Sequence, residues 1–322
     1  MNTHNKKPLV SLFLVTYNRK DVVLETISKL YEQSYRPIEI IVTDNNSIDN
    51  TAEAIESQFP EVKLIRSDKN LGAVVGRNTA CKMAKGKYVV SFDDDSFPGT
   101  HCISRMVDRF ESNQELGLIC FNVYNYNSFI KNYYDEAHLP SQKTRDECYF
   151  WSGCGGGYRH SVVKELGLWE EWGNTPPFEL AISAKVVSLG MKGINFSDIY
   201  VFHVFSSISS KHKKEENYNK WSYPVEKPSS GHRICQNVYY SMARNTLLYT
   251  IKFYPINFQT LIWVIKYTWA ISNGTIQSKR MSLIKAMLVG WSKIFHIRHE
   301  RIPLTQEQLD RVGKIGFNFR GK

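Results

Sequence analysis

Residues 10 to 93 alternate between two kinds of apolar pattern, and this alternation limits the fold more than any other feature of the chain. VSLFLV (10–15) is a short continuous apolar run, as expected of a strand covered on both faces. DVVLETISKLYEQ (21–33) places Val22, Ile27, Leu30 and Tyr31 at mostly helical spacing, and IEIIVTD (38–44) reads as a strand again. TAEAIESQF (51–59, helix), VKLIRS (62–67, strand), AVVGRNTACKMA (73–84, helix) and YVVSFD (88–93, strand) continue the series. A helix between two strands returns the chain to the edge it left, so successive strands run parallel. The expected class is α/β, a mostly parallel, doubly wound sheet flanked by helices. With 322 residues, 42% of them apolar, the chain can bury a sizeable core.

In an open sheet of this kind, ligands gather at the carboxyl ends of the strands. Three of those ends carry polar clusters: TYNR (16–19), TDNNS (43–47) and DDDS (93–96). Three adjacent carboxylates repel one another, and burial makes each ion costlier unless a cation or hydrogen-bond donors offset it. A positive group is therefore expected beside Asp93, Asp94 and Asp95. Asn and Asp at strand exits are also turn and cap formers. Asn46 and Ser47 are expected to cap the following helix, and Arg19 has Asp21 close by in sequence.

The net charge of +10 is unevenly placed. Residues 231–322 hold 14 Lys+Arg against 3 Asp+Glu, which leaves 27 against 28 for residues 1–230. A basic face confined to the C-terminal third fits an anionic lipid surface or a polyanion better than nucleic acid spread over the main domain. The 6 cysteines lack the close pairs of a structural zinc site. No small-residue cleavage site follows the apolar run near the N-terminus, so a secretory signal is not expected. Both features fit a reducing compartment with buried thiols.

VTYNR, IEIIVTDNNSIDNT, NLGAVVGRNTACKMAKGKYVVSFDDDSFP, GCGGGYRHSVVKELGLWEE and FELAISAKVVSLG together resemble the family 2 glycosyltransferases, in the family's order and spacing, over residues 8–205. The subgroup most resembled is the rhamnosyl- and galactofuranosyl-type transferases of bacterial surface polysaccharides. The resemblance implies the Rossmann-like, A-type nucleotide-sugar fold over residues 1–230, with a nucleotide-binding half at 1–100 and an acceptor half at 101–230. Residues 231–322 would form a basic amphipathic helical region. The implied activity is inverting, metal-dependent hexosyl transfer from a nucleotide-diphosphate sugar to a hydroxyl of a glycan or lipid-linked acceptor. UDP or dTDP donors are expected ahead of GDP, and no nucleic-acid partner is expected.

By the same resemblance, Asp95 would ligate Mn²⁺ or Mg²⁺ with Asp93 and His203, a donor set suited to hard cations. Asp93 and Asp94 would help to place the metal and the ribose. Asp44 would accept a hydrogen bond from the nucleobase, Thr16, Tyr17 and Arg19 would line the opposite wall, and Arg77 would read base carbonyls or phosphate. In FWSGCGGGYRHSVV (150–163), Trp151, Gly153, Gly155 and Gly156 would form a loop between donor phosphates and acceptor, followed by a helix whose N-terminus attracts anions. Glu179 would be the catalytic base. Here the chain departs from the family: Phe178 stands where Glu is common and Glu179 where Asp is common. Structural readings stay open beside these: Tyr17 as a packing residue, the glycine run as a connector, Glu179 as a helix-start acid after Pro176 and Pro177, and His203 as a core histidine.

The C-terminal third lies outside the strong resemblance. FQTLIWVIKYTWAI (258–271) is too short and too interrupted by Lys266 for a spanning helix. MSLIKAMLVGWSKIFHI (281–297) sets Ile284, Met287, Leu288, Trp291, Ile294 and Phe295 against Lys285, Ser292, Lys293 and His296, the pattern of an interfacial helix. The expected location is cytoplasmic, peripheral on the inner face of the cell membrane; an ordinary packing helix is the competing reading. Three other functional readings stay open. They are a catalytically silent sugar-nucleotide-binding scaffold, a basic nucleic-acid-binding protein and a nucleotidyltransferase on a similar sheet.

Overall fold

The computed structural model describes residues 6–125, 144, 153–171 and 178–203, and in the C-terminal third 244–245, 247–255, 260, 264–265, 288–293 and 300–313. They belong to two compact units, Met1–Trp169 with Leu189–Ser207, and Glu170–Ser188 with Ile208–Lys322.

In the first unit, β1 (Val10–Thr16), α1 (Lys20–Tyr31), β2 (Ile38–Asp44), α2 (Thr51–Gln58), β3 (Lys63–Arg66), α3 (Ala73–Met83) and β4 (Tyr88–Ser91) follow the expected alternation. β5 (Ser96–Pro98), α4 (Cys102–Ser112), β6 (Leu116–Cys120), β7 (Asn122–Asn125), β8 (Gly156–Arg159), α5 (His160–Leu166), β9 (Lys192–Ile194) and β10 (Tyr200–His203) complete it. Among the described residues, the main sheet has seven strands in the order β3-β2-β1-β4-β8-β6-β9, and a small sheet has the order β5-β10-β7. β1 to β4 run parallel, whereas β8 is antiparallel to both neighbours.

β1 is apolar on both faces because both are covered; Val10, Leu12, Phe13 and Leu14 are fully buried. The buried Ser11 donates to Glu39 and accepts from the Gly86 N–H at 2.8 Å, so the strand leaves no polar group stranded there. Thr16 pairs with Asp44 and Phe13 with Ser91, which brings the ends of β1, β2 and β4 to one edge. The three polar clusters meet there, as the alternation requires.

Two local expectations are corrected. α2 starts at Thr51, and the Thr51 N–H is bonded by Asp49 at 3.2 Å, so Asn46 and Ser47 lie too far back to cap it. Ser47 instead donates its N–H and hydroxyl to the Asp44 carboxylate. The glycine run is not a loop throughout, because Gly156 opens strand β8. A Cβ on Gly155 would lie 2.6 Å from Val201 Cγ1 and 3.0 Å from Phe121 Cβ, and one on Gly157 would lie 2.4 Å from Met106 Sδ. Close packing by itself requires glycine at 155 and 157. Because β8 runs against β4, α5 begins beside Lys87, with His160 N–H on the Lys87 carbonyl at 3.0 Å. Its N-terminus thus lies at the edge opposite the aspartates and offers no anion site there.

The second unit contains α6 (Phe178–Ser188), helical residues 247–253 and 288–293, and α7 (Gln306–Gly313). Ala181, Ile182, Val186, Leu247 and Phe253 are fully buried in it. Among the described residues, no helix is long and apolar enough to cross a membrane.

Candidate active site

Each aspartate of the triplet is held by groups from a different part of the first unit. Thr16, closing β1, donates to Asp94 Oδ2 at 3.0 Å, and Thr26 on α1 donates to the Asp94 carbonyl at 2.8 Å. The Arg19 guanidinium spans two carboxylates, 2.5 Å from Asp94 Oδ1 and 2.7 Å from Asp95 Oδ2. It is the positive group that the acidic strand end requires. On the other side Arg77, only 4% exposed, pairs with Asp93 Oδ1 and donates to Ser91 Oγ at 3.2 Å and the Gly153 carbonyl at 3.4 Å. Ser96 closes the turn: its hydroxyl accepts from Asp93 N–H at 2.9 Å and donates to the Cys154 carbonyl at 2.8 Å.

The small sheet then adds the histidine. β10 pairs with β5 so that His203 lies opposite Ser96, and His203 Nε2 stands 3.1 Å from Asp95 Oδ1 and 4.0 Å from Asp93 Oδ2. Each of the two carboxylates therefore gives one oxygen to an arginine and turns the other toward His203. The ligand atoms of Asp93, Asp95 and His203 all lie within 4.8 Å of one another. Two carboxylate oxygens and an imidazole nitrogen around one point fit Mn²⁺ or Mg²⁺, Mn²⁺ being the more tolerant of nitrogen.

Electrostatics separate the three carboxylates. Burial pushes the Asp94 carboxyl up to about 6; Arg19 opposes the rise, and Asp95 and Asp93 reinforce it. Burial also acts on Asp95, but the His203 and Arg19 hydrogen bonds and charges hold it down at about 2. His203 is lowered by burial, and the hydrogen bond and charge of Asp95 outweigh this and raise it above its ordinary value.

The structure thus brings together Thr16, Arg19, Arg77, Asp93, Asp94, Asp95, Gly153 and His203. Asp44 adjoins them through Asn45, whose N–H bonds the Thr16 carbonyl at 2.9 Å, and Tyr17 is half-buried at the same exit. Gly155 packs against Val201 and Phe121, Gly156 opens β8, and Trp151 lies outside the described residues. Glu179 is 8% exposed in the first turn of α6, within the second unit. The sequence reading did not single out Thr26, Ser91 and Ser96 as site residues, although Ser91 and Ser96 flank the triplet and a hydroxyl beside three carboxylates is itself a signal.

Residues 11–167 match the family described as Glycosyl transferase family 2. Over 119 residues the chain is 33% identical to an Escherichia coli protein named UDP-Glc:alpha-D-GlcNAc-diphosphoundecaprenol beta-1,3-glucosyltransferase WfaP, covering 37% of this chain and 46% of that one. The chain spans less than half the length of the curated relatives it matches first. S. aureus TarS 1-349 in complex with UDP-GlcNAc has a similar fold, with a TM-score of 0.59 at 16% identity over 91% of this chain and 82% of that one. The mannosyltransferase PcManGT from Pyrobaculum calidifontis, in complex with GDP-Man and Mn²⁺, gives a TM-score of 0.55 at 15% identity over 96% and 87%. These likenesses show the A-type glycosyltransferase fold. Residues 11–167 thus carry a glycosyl transferase family 2 domain, on the A-type fold.

Proposed function

We propose that the protein transfers a hexosyl group from a nucleotide-diphosphate sugar to a hydroxyl of a glycan or lipid-linked acceptor in bacterial surface polysaccharide synthesis. Transfer inverts the anomeric carbon and depends on Mn²⁺ or Mg²⁺. The observation that carries this reading is the Asp93–Asp95–His203 cluster, with its ligand atoms within 4.8 Å, at the carboxyl edge of the sheet. A divalent ion held there would neutralise charge on the departing diphosphate. Arg77 and Arg19 keep the two carboxylates aimed at that point. Asp44 takes the nucleobase, Thr16, Tyr17 and Arg19 take the base and ribose, Asp94 supports the ribose side, and Trp151 and Gly153 border the acceptor.

Glu179 serves as the base. It accepts the proton of the acceptor hydroxyl, whose oxygen bonds to the anomeric carbon as the bond to the diphosphate breaks. The diphosphate leaves with the electron pair, so one displacement inverts the centre. The catalytic domain in this reading is residues 1–230, with donor chemistry in 1–100 and acceptor chemistry in 101–230, and 231–322 is an accessory basic region. The UDP-sugars in the E. coli and S. aureus names support a UDP donor, with dTDP next. The diphosphoundecaprenol in the E. coli name supports a lipid-linked acceptor, which suits a peripheral position on the inner membrane face.

The test is transfer by purified protein from UDP-, dTDP- and GDP-sugars, with Mn²⁺ or Mg²⁺, to a synthetic lipid-diphosphate sugar, read by product mass and anomeric NMR. A product of inverted configuration is expected. No transfer and no donor hydrolysis across the set would leave a scaffold in place of an enzyme.

A further inference from the structure

Three basic and acidic side chains are buried together in the second unit, where a chain usually keeps charge out. Glu170 Oε1 accepts from Lys185 at 2.5 Å and from Lys252 at 2.8 Å, and Lys252 also reaches Glu300 Oε2 at 3.4 Å. Glu170, Lys185 and Lys252 are each less than a tenth exposed. The three come from separate places: the segment before α6, α6 itself, and the helical residues 247–253. A buried carboxylate shared by two ammonium groups fixes the helices that carry them, because moving either one strands a charge in low dielectric.

Residues 300–308 tighten the same assembly. Arg301 donates to the Ile251 carbonyl at 3.0 Å and the Tyr254 carbonyl at 2.6 Å, closing the end of the 247–253 helix. Ile302 and Leu304 donate backbone N–H groups to the Lys252 and Phe253 carbonyls at 3.0 and 2.8 Å. Thr305 and Gln308 form a reciprocal capping box at the start of α7, at 2.8 and 3.2 Å. The other end of the Gln308 amide donates to the Val187 carbonyl at 3.0 Å, in the last turn of α6. Gln308 therefore starts one helix and closes another.

We infer that Lys185, Glu170, Lys252 and Gln308 are positioning residues that fix α6, and with it Glu179 in its first turn, so that the C-terminal region sets the catalytic base. This rests on the reading of Glu179 as the base. None of the four is placed in contact with the donor. Their loss is expected to lower turnover while leaving donor binding at the aspartate cluster alone.

Gln308→Glu separates the roles. A glutamate keeps the capping box, accepting from Thr305 N–H, but cannot donate to Val187, so α7 stays capped while the grip on α6 is lost. Hydrogen exchange over residues 178–188 is expected to quicken about fivefold, the scale of one lost hydrogen bond, with strands 10–16 and 88–91 unchanged. Lys185→Met is expected to lower kcat by about tenfold or more with the Kd for UDP-sugar and Mn²⁺ unchanged, since a small misplacement of a reacting group is costly. Gln308→Glu carries the test alone if Lys185→Met does not fold. Parental exchange over 178–188 in Gln308→Glu would overturn the inference, as would equal loosening of the sheet strands. If the parent protein transfers no sugar, the proposed reaction fails, and the exchange comparison still decides whether these residues hold α6.

Discussion

His203 Nε2 stands 3.1 Å from Asp95 Oδ1 while Asp95 Oδ2 is held 2.7 Å from Arg19, so protein groups alone orient the carboxylate at the proposed metal site. Asp93 repeats the arrangement, with Arg77 on Oδ1 and Oδ2 toward His203. Preset ligands lose little freedom on binding an ion, which favours affinity. Asp95→Ala is expected to abolish Mn²⁺-dependent donor binding, and His203→Ala to weaken it by at least the roughly 10–100-fold that loss of a group supporting a metal ligand costs. Both should keep the parental circular dichroism. Calorimetry with UDP-sugar and Mn²⁺ reads this; parental affinity in Asp95→Ala would remove it from the metal site.

Glu179→Gln removes the proposed proton acceptor but keeps size and burial. Turnover is expected to fall by about 10² or more with donor Kd unchanged, the usual scale for loss of a general base. Glu179→Asp should retain part of the activity, because the family's usual residue is restored. Parental kcat in the Gln variant would move the base elsewhere.

Glu39 gives a stability test away from the site. Burial raises its carboxyl, but hydrogen bonds from Lys63, Ser11 and the Lys85 N–H outweigh this and hold it below the usual range. A depressed carboxylate stabilises the fold above its unfolded pKa of about 4.3, and that contribution is lost as pH falls through the lower folded value. Glu39→Gln is expected to be about 1–3 kcal/mol less stable than the parent at pH 7, with the gap closing below about pH 4. Urea melts at both pH values read it, and a pH-independent gap would mean that packing rather than charge is lost.

On the C-terminal unit, Leu288 is 65% and Trp291 40% exposed, and Gly290 on the same helix faces Leu247 and Arg244. The outward apolar pair sits in a region with 14 Lys+Arg against 3 Asp+Glu. Sedimentation with liposomes containing anionic lipid is expected, weakened by salt and abolished by Leu288→Glu with Trp291→Glu, at about 1 kcal/mol per basic residue near the surface. Equal sedimentation with neutral liposomes would make the helix an ordinary packing element. Lys285, also implicated by sequence, lies outside the described residues.

What the sequence made legible follows from how local each determinant is. β1, β2 and β4 were readable because continuous apolar runs mark strands covered on both faces, and their polar ends converge as a consequence of parallel order. The packing role of Gly155 and Gly157 is not legible in sequence because its cause is distant: Val201, Phe121 and Met106 occupy the space where side chains would go. Ser47 is not legible as the partner of Asp44, because a Ser in the polar run ahead of a helix looks the same whether it bonds a helix N–H or a carboxylate three residues back. No local pattern could reveal that Glu170 joins Lys185 to Lys252, since their meeting depends on the packing of separate helices.

Metal-dependent nucleotide-sugar binding at the carboxyl edge of the sheet is tested most directly by a thermal-shift titration of UDP-, dTDP- and GDP-sugars, each with and without Mn²⁺, on the parent and on Asp95→Ala. A rise in Tm with at least one donor, larger with Mn²⁺ and absent in Asp95→Ala, is expected, because a ligand of the native state stabilises it by mass action. A flat Tm for the parent across every donor and metal, or a rise that survives intact in Asp95→Ala, would contradict it.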